Sequence, residues 1–253
     1  RVMHDKQGEL TYQPYGKEVQ TIYSVSRGKI NATMKDIAEN VGNATIEYNH
    51  EWHKVDFENS IAFVRNTITG KDMQVKSDLI FASDGAFSAV RYNSMQKLPR
   101  FNYNQRFIED GYREILLPAN PDGSYKMDKN ALHIWPRGRF MMIALANEDG
   151  SFTGTLFMPH ENHKYAFDKL KSKEDVDVFF KDVFPDFYEM MPNIGDAWQD
   201  HPLSSLAIIR CHPWTHGKVA LMGDSAHATV PFYGQGMNAS FEDCHIFGKL
   251  LSN

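Results

Sequence analysis

The stretch VALMGDSAHATVPFYGQGMNASFED, residues 219–243, holds the residue types and spacing most capable of chemistry. A short apolar run ends in Gly223-Asp224, and PFYGQG follows as turn chemistry before a helix begins near Met237 and Asn238. Asn238 and Ser240 are the candidate N-caps, with acids expected in the first turn. The carboxylate of Asp224 at a strand end can accept hydrogen bonds from hydroxyl groups. A helix start brings backbone N–H groups and a positive dipole end toward an electron-rich ligand. Gly234 and Gly236 let the backbone approach that ligand where side chains would collide. A second run, DLIFASDGAFSAVR, carries a buried strand into Asp84-Gly85, and Arg27 stands at the head of an earlier helix. Taken singly these are ordinary: a strand ending in Asp-Gly is usually only a turn.

The elements that must position these residues can be read from periodicity. Residues 1–26 carry strand-like pieces, TYQPYGKEVQTIYSV being the clearest. SRGKINATMKDIAENVG predicts a helix, because Ile30, Met34, Ile37, Ala38 and Val41 recur at helical spacing and Gly42 stands near its end. A series of strands follows to Asp84, with a hairpin turn at Thr69-Gly70-Lys71, and then a short helix over 88–96. From 101 to 159 the chain reads as an antiparallel sheet, with turns at PRG and NEDG. KYAFDKLKSKEDVDVFFKDVFPDFYEMM reads as helical up to Pro185, and PLSSLAIIRCHPW returns as a strand. Interleaved helices and strands with many hairpins indicate an α/β nucleotide-type domain, mixed with α+β features, that carries an inserted sheet.

Composition narrows the function classes. The 253 residues have 42% hydrophobic content, enough to bury one large core or two modest ones. With 27 basic against 32 acidic residues and no basic run, nucleic acid is not expected as a main partner. Two cysteines, Cys211 and Cys244, make no disulfide framework and fit a reducing compartment. A cytoplasmic location is therefore expected, or the mitochondrial outer membrane if a further segment carries an anchor. No apolar run approaches the ~20 residues needed to cross a membrane. HEWH, with His50 and His53, and CHPWTH, with Cys211, His212 and His216, lack a second ligand pair, so no metal is expected. The chain starts at Arg1 without a methionine and stops at GKLLSN, so an internal part of a longer protein is expected.

In the order RVMHD, QPYGKE, YSVSRGKIN, SDGAFSAVR, LHIWPRGRFMMIALANEDGSFTGTLFMP and GDSAHATVPFYGQGMNASFED, the sequence resembles the flavoprotein aromatic hydroxylases. Within that family it is most similar to the kynurenine-hydroxylating branch. The resemblance implies a Rossmann-like FAD domain, incomplete because the Gly-x-Gly-x-x-Gly turn and its following acid are absent, with an inserted antiparallel substrate sheet. It assigns 1–100 and 206–253 to the FAD part and 101–205 mainly to the substrate part. It implies Arg27, Trp52, Asp84, Ser88, Asp224, Gly234, Gly236, Met237 and Asn238 along the FAD. Arg1 and Tyr15 fall on the carboxylate of L-kynurenine, where a planar guanidinium binds bidentately. Phe232, Tyr233 and Phe157 fall on the apolar wall around its ring. His227 is expected to make a hydrogen bond beside the flavin loop. The implied reaction is NADPH-driven hydroxylation by O2 to 3-hydroxykynurenine through a flavin C4a-hydroperoxide, with no acid or base catalyst in this segment. Two alternatives stay open: a flavin hydroxylase for another aromatic acid, and a non-catalytic module on the same fold.

Overall fold

A computed structural model describes residues 1–14, 16 and 21–252. In chain order the elements are β1 (Val2–His4), β2 (Leu10–Tyr12), α1 (Arg27–Val41), β3 (His50–Asp56), β4 (Ile61–Asn66), β5 (Asp72–Lys76), β6 (Ile80–Ala82) and α2 (Ala89–Asn93). There follow β7 (Asn102–Leu117), β8 (His133–Arg137), β9 (Phe140–Ala146), β10 (Phe152–Pro159), α3 (Lys173–Val183), α4 (Pro185–Met190) and α5 (Ile194–Ala197). The last are β11 (Ser204–His212), β12 (Thr215–His216), β13 (Val219–Leu221), α6 (Asp224–His227) and α7 (Gly236–Leu251). They form two compact units, Arg1–Ala44 with Glu109–Ser205, and Thr45–Ile108 with Leu206–Asn253. Sequence reading grouped 1–100 together, whereas the structure groups Arg1–Ala44 with the large sheet. The reason is long-range pairing: β1 lies parallel to β8, with Val2 opposite His133.

The first unit holds β10, β9, β8, β1 and β2 of the sheet ordered β11-β7-β10-β9-β8-β1-β2. Strict alternation buries Phe140, Met142 and Ala144 of β9 on one face, and Leu156 lies opposite Met142 in register. Against that face pack Val176, Phe179 and Phe180 of α3, together with Phe184, Phe187 and Trp198. A capping box starts α3: Ser172 Oγ accepts from Asp175 N at 3.1 Å, and Asp175 Oδ2 accepts from Ser172 N at 3.0 Å. The helix thus begins at Lys173 rather than near Lys164, and Pro185 opens α4 as the first residue after Phe184.

The first helix forms as its periodicity predicts. Ser26 Oγ accepts from Lys29 N, and Gly42 N donates to Ala38 O. Its apolar residues are open all the same, with Met34, Ile37 and Val41 exposed. Residues 21–26 carry no strand. The second unit holds the antiparallel sheet β3-β4-β5 and the sheet β12-β13-β6. Val55, Val64, Ile80, Val90, Val219 and Leu221 form its core. The predicted turn at 69–71 joins β4 to β5, with Gly70 at φ 70°.

One buried polar network fastens the N-terminal strand to the first unit. Asp186, in the first turn of α4, meets His4 Nδ1 at 3.2 Å and accepts from Trp135 Nε1 at 2.6 Å. His4 Nε2 meets His133 Nδ1 at 2.8 Å, and its ring stacks on Trp135. Arg137 donates to the carbonyls of His4, Asp5 and Val183. Burial pushes the Asp186 carboxyl up, but the hydrogen bonds from His4 and Trp135 and the Arg137 charge outweigh it and hold it below the usual carboxylate range. A carboxyl lowered on folding contributes stability above its unfolded value of about 3.9, and that contribution is lost as pH falls through the folded value. Asp186→Asn is expected to cost about 1.5–3 kcal/mol near neutral pH. The gap to wild type, measured by urea unfolding across pH, should narrow in acid; a gap that stays constant there would contradict the charged role.

Candidate functional site

The site starts from two three-residue strands. β6 and β13 are parallel, with Ile80 opposite Val219 and Ala82 opposite Leu221. The pairing continues one residue beyond, where Met222 N donates to Ala82 O at 3.0 Å. Asp84 and Gly223-Asp224 therefore leave adjacent parallel strands at their carboxyl ends, the place where open α/β sheets bind ligands. Ser225 Oγ lies 2.5 Å from Ala82 O and 2.7 Å from Met222 O, within reach of both strands for its single proton.

Gly223 has φ 60° and ψ −139°, a conformation that glycine alone adopts readily. A Cβ there would also lie 2.8 Å from Ser240 Oγ. The turn it allows exposes Asp224, which opens α6 instead of lying in a loop. Asp224 Oδ1 is 3.9 Å from where a Cβ on Gly236 would stand. Helix α7 begins at Gly236, earlier than the Asn238 or Ser240 caps that the sequence suggested. Its N-cap Gln235 makes no side-chain cap hydrogen bond, and its first turn holds no acid. Asn238 instead donates to Gln235 Oε1, and Ser240 Oγ donates to Gly236 O. Gly234 is left-handed at φ 63° with open space around its missing side chain.

An exposed carboxylate beside an uncapped helix start is a donor–acceptor set suited to a polyol chain joined to an electron-rich ring. Phe232 and Tyr233 stand on a short 3-10 turn just before it, at 38% and 88% exposure. Met237 in the first turn of α7 is 46% exposed.

The Asp-Gly loop is organised by its own helix. Asp84 is exposed and its Oδ2 accepts from Val90 N at 3.2 Å. Gly85 has φ 81°. Ser88 is fully buried, and its Oγ accepts from Arg91 N as the cap of α2. Trp52, at a bulge in β3, packs half-buried on the same core.

Arg91 is a residue that sequence reading passed over. It is 1% exposed, and its guanidinium donates to Ser225 O and Ala86 O, both at 2.5 Å. One side chain thus joins the Asp-Gly loop to the Gly-Asp turn. Burial pushes the Cys211 thiol up, against the pull of the Arg91 charge, and its Sγ donates to Ala226 O at 3.2 Å.

Arg1, Arg27 and Phe157 lie in the first unit. Arg1 is exposed, its amino group donating to Gln13 O at 2.9 Å. Arg27 is exposed, with Nη1 3.6 Å from Glu114 Oε1. Phe157 is 4% exposed on β10 opposite Tyr112, with ring centroids 6.1 Å apart, which is the environment of a packing residue. Tyr15 lies outside the described residues.

The FAD binding domain pattern matches residues 4–253, nearly the whole chain. The chain belongs to the FAD binding domain family. It is 46% identical over 244 residues to a kynurenine 3-monooxygenase of Flavobacterium psychrophilum, covering 96% of this chain and 54% of that protein. It is 42% identical over 245 residues to one of Dictyostelium discoideum, covering 96% and 52%. The chain spans about half the length of these curated relatives. Among solved structures it resembles a variant of 2-methyl-3-hydroxypyridine-5-carboxylic acid oxygenase, with TM-score 0.67 and 20% identity over 85% of this chain and 54% of that one. It also resembles Klebsiella pneumoniae HpxO complexed with FAD, with TM-score 0.64 and 19% identity over 87% and 54%. At that identity the likeness shows the flavin-hydroxylase fold alone.

Arg91 gives the sharpest test of how this site is held. Arg91→Met removes two charge-assisted hydrogen bonds of about 1.5–3 kcal/mol each, so the urea midpoint should fall well below wild type. Arg91→Lys should recover little, because a single ammonium lacks the planar fork that reaches both carbonyls. A lysine variant as stable as wild type would mean that the fork is not what joins the loops.

Proposed function

We propose that the whole protein is an FAD-dependent monooxygenase that hydroxylates L-kynurenine to 3-hydroxykynurenine, using NADPH and O2. The observation that carries this is the pairing of Asp224 with the open start of α7 at the carboxyl ends of β6 and β13. It stands in a chain 46% identical to a protein named for that reaction. The chemistry that FAD supplies when bound is hydride acceptance from NADPH and activation of O2.

The chain's own residues then bind and orient. Asp224 accepts from ribityl hydroxyls, and the N–H groups at Met237 and Asn238 face the edge of the ring that gains charge on reduction. Gly234 and Gly236 leave room for that ring. Asp84 and Trp52 of the second unit are further candidates to hold the cofactor, as is Arg27 of the first, and Ser88 contributes by capping α2. Arg1, with Tyr15, pairs the kynurenine carboxylate, whose burial unpaired would be costly. Phe232 and Tyr233, both open to solvent, wall the aniline ring, while the burial of Phe157 keeps it a support of the sheet. No acid or base catalyst is assigned, because the ring amine already activates the carbon that is hydroxylated.

A second reading, hydroxylation of a different aromatic acid, keeps Asp84, Asp224 and the loop from Gly234 to Asn238 but does not need Arg1 with Tyr15. Among the described residues no helix is long and apolar enough to cross a membrane. The free cysteines Cys211 and Cys244 support a cytoplasmic location as part of the same proposal.

In the whole protein, NADPH oxidation should respond to kynurenine and much less to its decarboxylated analogue. Equal response to both would contradict the carboxylate contact of Arg1 and Tyr15 and leave only an unspecified aromatic substrate. Gly236→Val separates cofactor from fold, because a Cβ at Gly236 meets nothing in the protein closer than 3.9 Å. That variant should keep its melting temperature and lose bound flavin and turnover together. Full flavin content per chain would show that the ring does not pack on the start of α7.

A further inference from the structure

Asp243 lies on α7 seven residues after Gly236, about two turns on and on the same face. Its Oδ2 accepts from Gly223 N at 2.8 Å and meets His227 Nε2 at 2.7 Å. Gly223 precedes the short helix α6, and His227 ends it. A single carboxylate oxygen thus holds both ends of the turn that presents Asp224. Both side chains of the pair are 23% exposed, so the contact is partly shielded from water.

The surroundings fix this contact from each side. Trp214 donates Nε1 to Cys211 O at 2.8 Å, and its ring lies 5.1 Å from that of His227. Ser240, one turn before Asp243, stands so close to Gly223 that no Cβ fits between them. Packing therefore sets how near α7 comes to the turn. The two hydrogen bonds of Asp243 set where along its axis the helix stops. Sliding α7 by one residue would move its start by about 1.5 Å relative to Asp224 and break both bonds.

We propose that Asp243 is a positioning residue for the flavin. It clamps the turn from Gly223 to His227 against α7, so that the Asp224 carboxylate and the open helix start act on one bound cofactor as a rigid pair. This rests on the FAD reading above and goes beyond it, since Asp243 itself reaches the turn and leaves the cofactor to Asp224 and the helix start. His227 is the second arm of the clamp. Its Nε2 meets Asp243 Oδ2 while its ring packs beside Trp214.

The test compares Asp243→Ala, Asp243→Asn and His227→Ala in the whole protein, stripped of flavin and titrated with FAD by fluorescence. The visible circular dichroism of the bound flavin is recorded alongside the melting temperature of the flavin-free protein. Asp243→Ala should raise the FAD Kd at least about tenfold, corresponding to about 1.4 kcal/mol, and alter the flavin dichroism. Asp243→Asn keeps an oxygen that can accept from both partners, so it should restore most of the affinity and the wild-type dichroism. His227→Ala frees one end of the turn and should fall between them. An Asp243→Ala protein with wild-type Kd and dichroism overturns the proposal. So does an Asp243→Asn protein as impaired as the alanine variant, which would put the effect in the charge. A lowered melting temperature with unchanged flavin dichroism also overturns it, by reducing Asp243 to an ordinary structural tie. If Asp243→Ala does not fold, His227→Ala decides on the same readouts. Failure of the wild type to bind FAD would instead remove the underlying flavin reading.

Discussion

Parallel pairing between β6 and β13 is the constraint on which the candidate site depends. Each strand is three residues long, and a parallel pair cannot be closed by a local turn, so nothing near either strand in sequence brings them together. What keeps them in register lies at their carboxyl ends. Ser225 reaches across to Ala82 O, and Arg91 reaches from α2 to Ser225 O and Ala86 O. With that register set, two acids from segments 140 residues apart in sequence, Asp84 and Asp224, emerge side by side. The glycine at 223 then allows a turn that no other residue would adopt without strain, and Gly234 adds a left-handed one that glycine favours.

Buried arginines recur as the device that joins distant segments. Arg91 holds two loops of the second unit. In the first unit, Arg113 donates to Trp198 O and lies 4.5 Å over the Trp198 ring, and Arg137 ties β1 and the end of α3 to β8. Burial pushes the Arg113 guanidinium below its ordinary value, and burial does the same to Arg137 against the opposing charges of Asp186 and Asp5. An arginine starts so high that both remain cations, which is why this side chain serves where a lysine would lose its charge. Backbone carbonyls are acceptors in each case, and Arg137 also has an acid beside it, with Nη2 3.5 Å from Asp186 Oδ1.

Local signals made much of this legible before any coordinates. The helix from Arg27 to Val41, the hairpin at 69–71, the strand entering Asp84 and the Gly-Asp turn all follow from spacing and turn chemistry. Long-range partners were not legible. Nothing local says that β1 pairs with β8, so the grouping of Arg1–Ala44 with Glu109–Ser205 could not be read from the sequence. Asp243 read as an acid in the first turn of a helix, because the start of α7 was placed by cap preference while the structure begins it at an uncapped Gly236. Ser88 read as a ligand residue, yet its hydroxyl is used as a helix cap. Phe157 looked like a wall residue by type, and only the sheet register shows it packed opposite Tyr112.

The account stands or falls on whether one cofactor engages both loops at the ends of β6 and β13. Amide hydrogen exchange of the whole protein, with and without FAD, reads this directly. Slowed exchange is predicted both in Asp84–Arg91 and in Gly223–Phe241, with α3 unchanged. Protection of only one loop, or protection elsewhere with both loops unaffected, would contradict it.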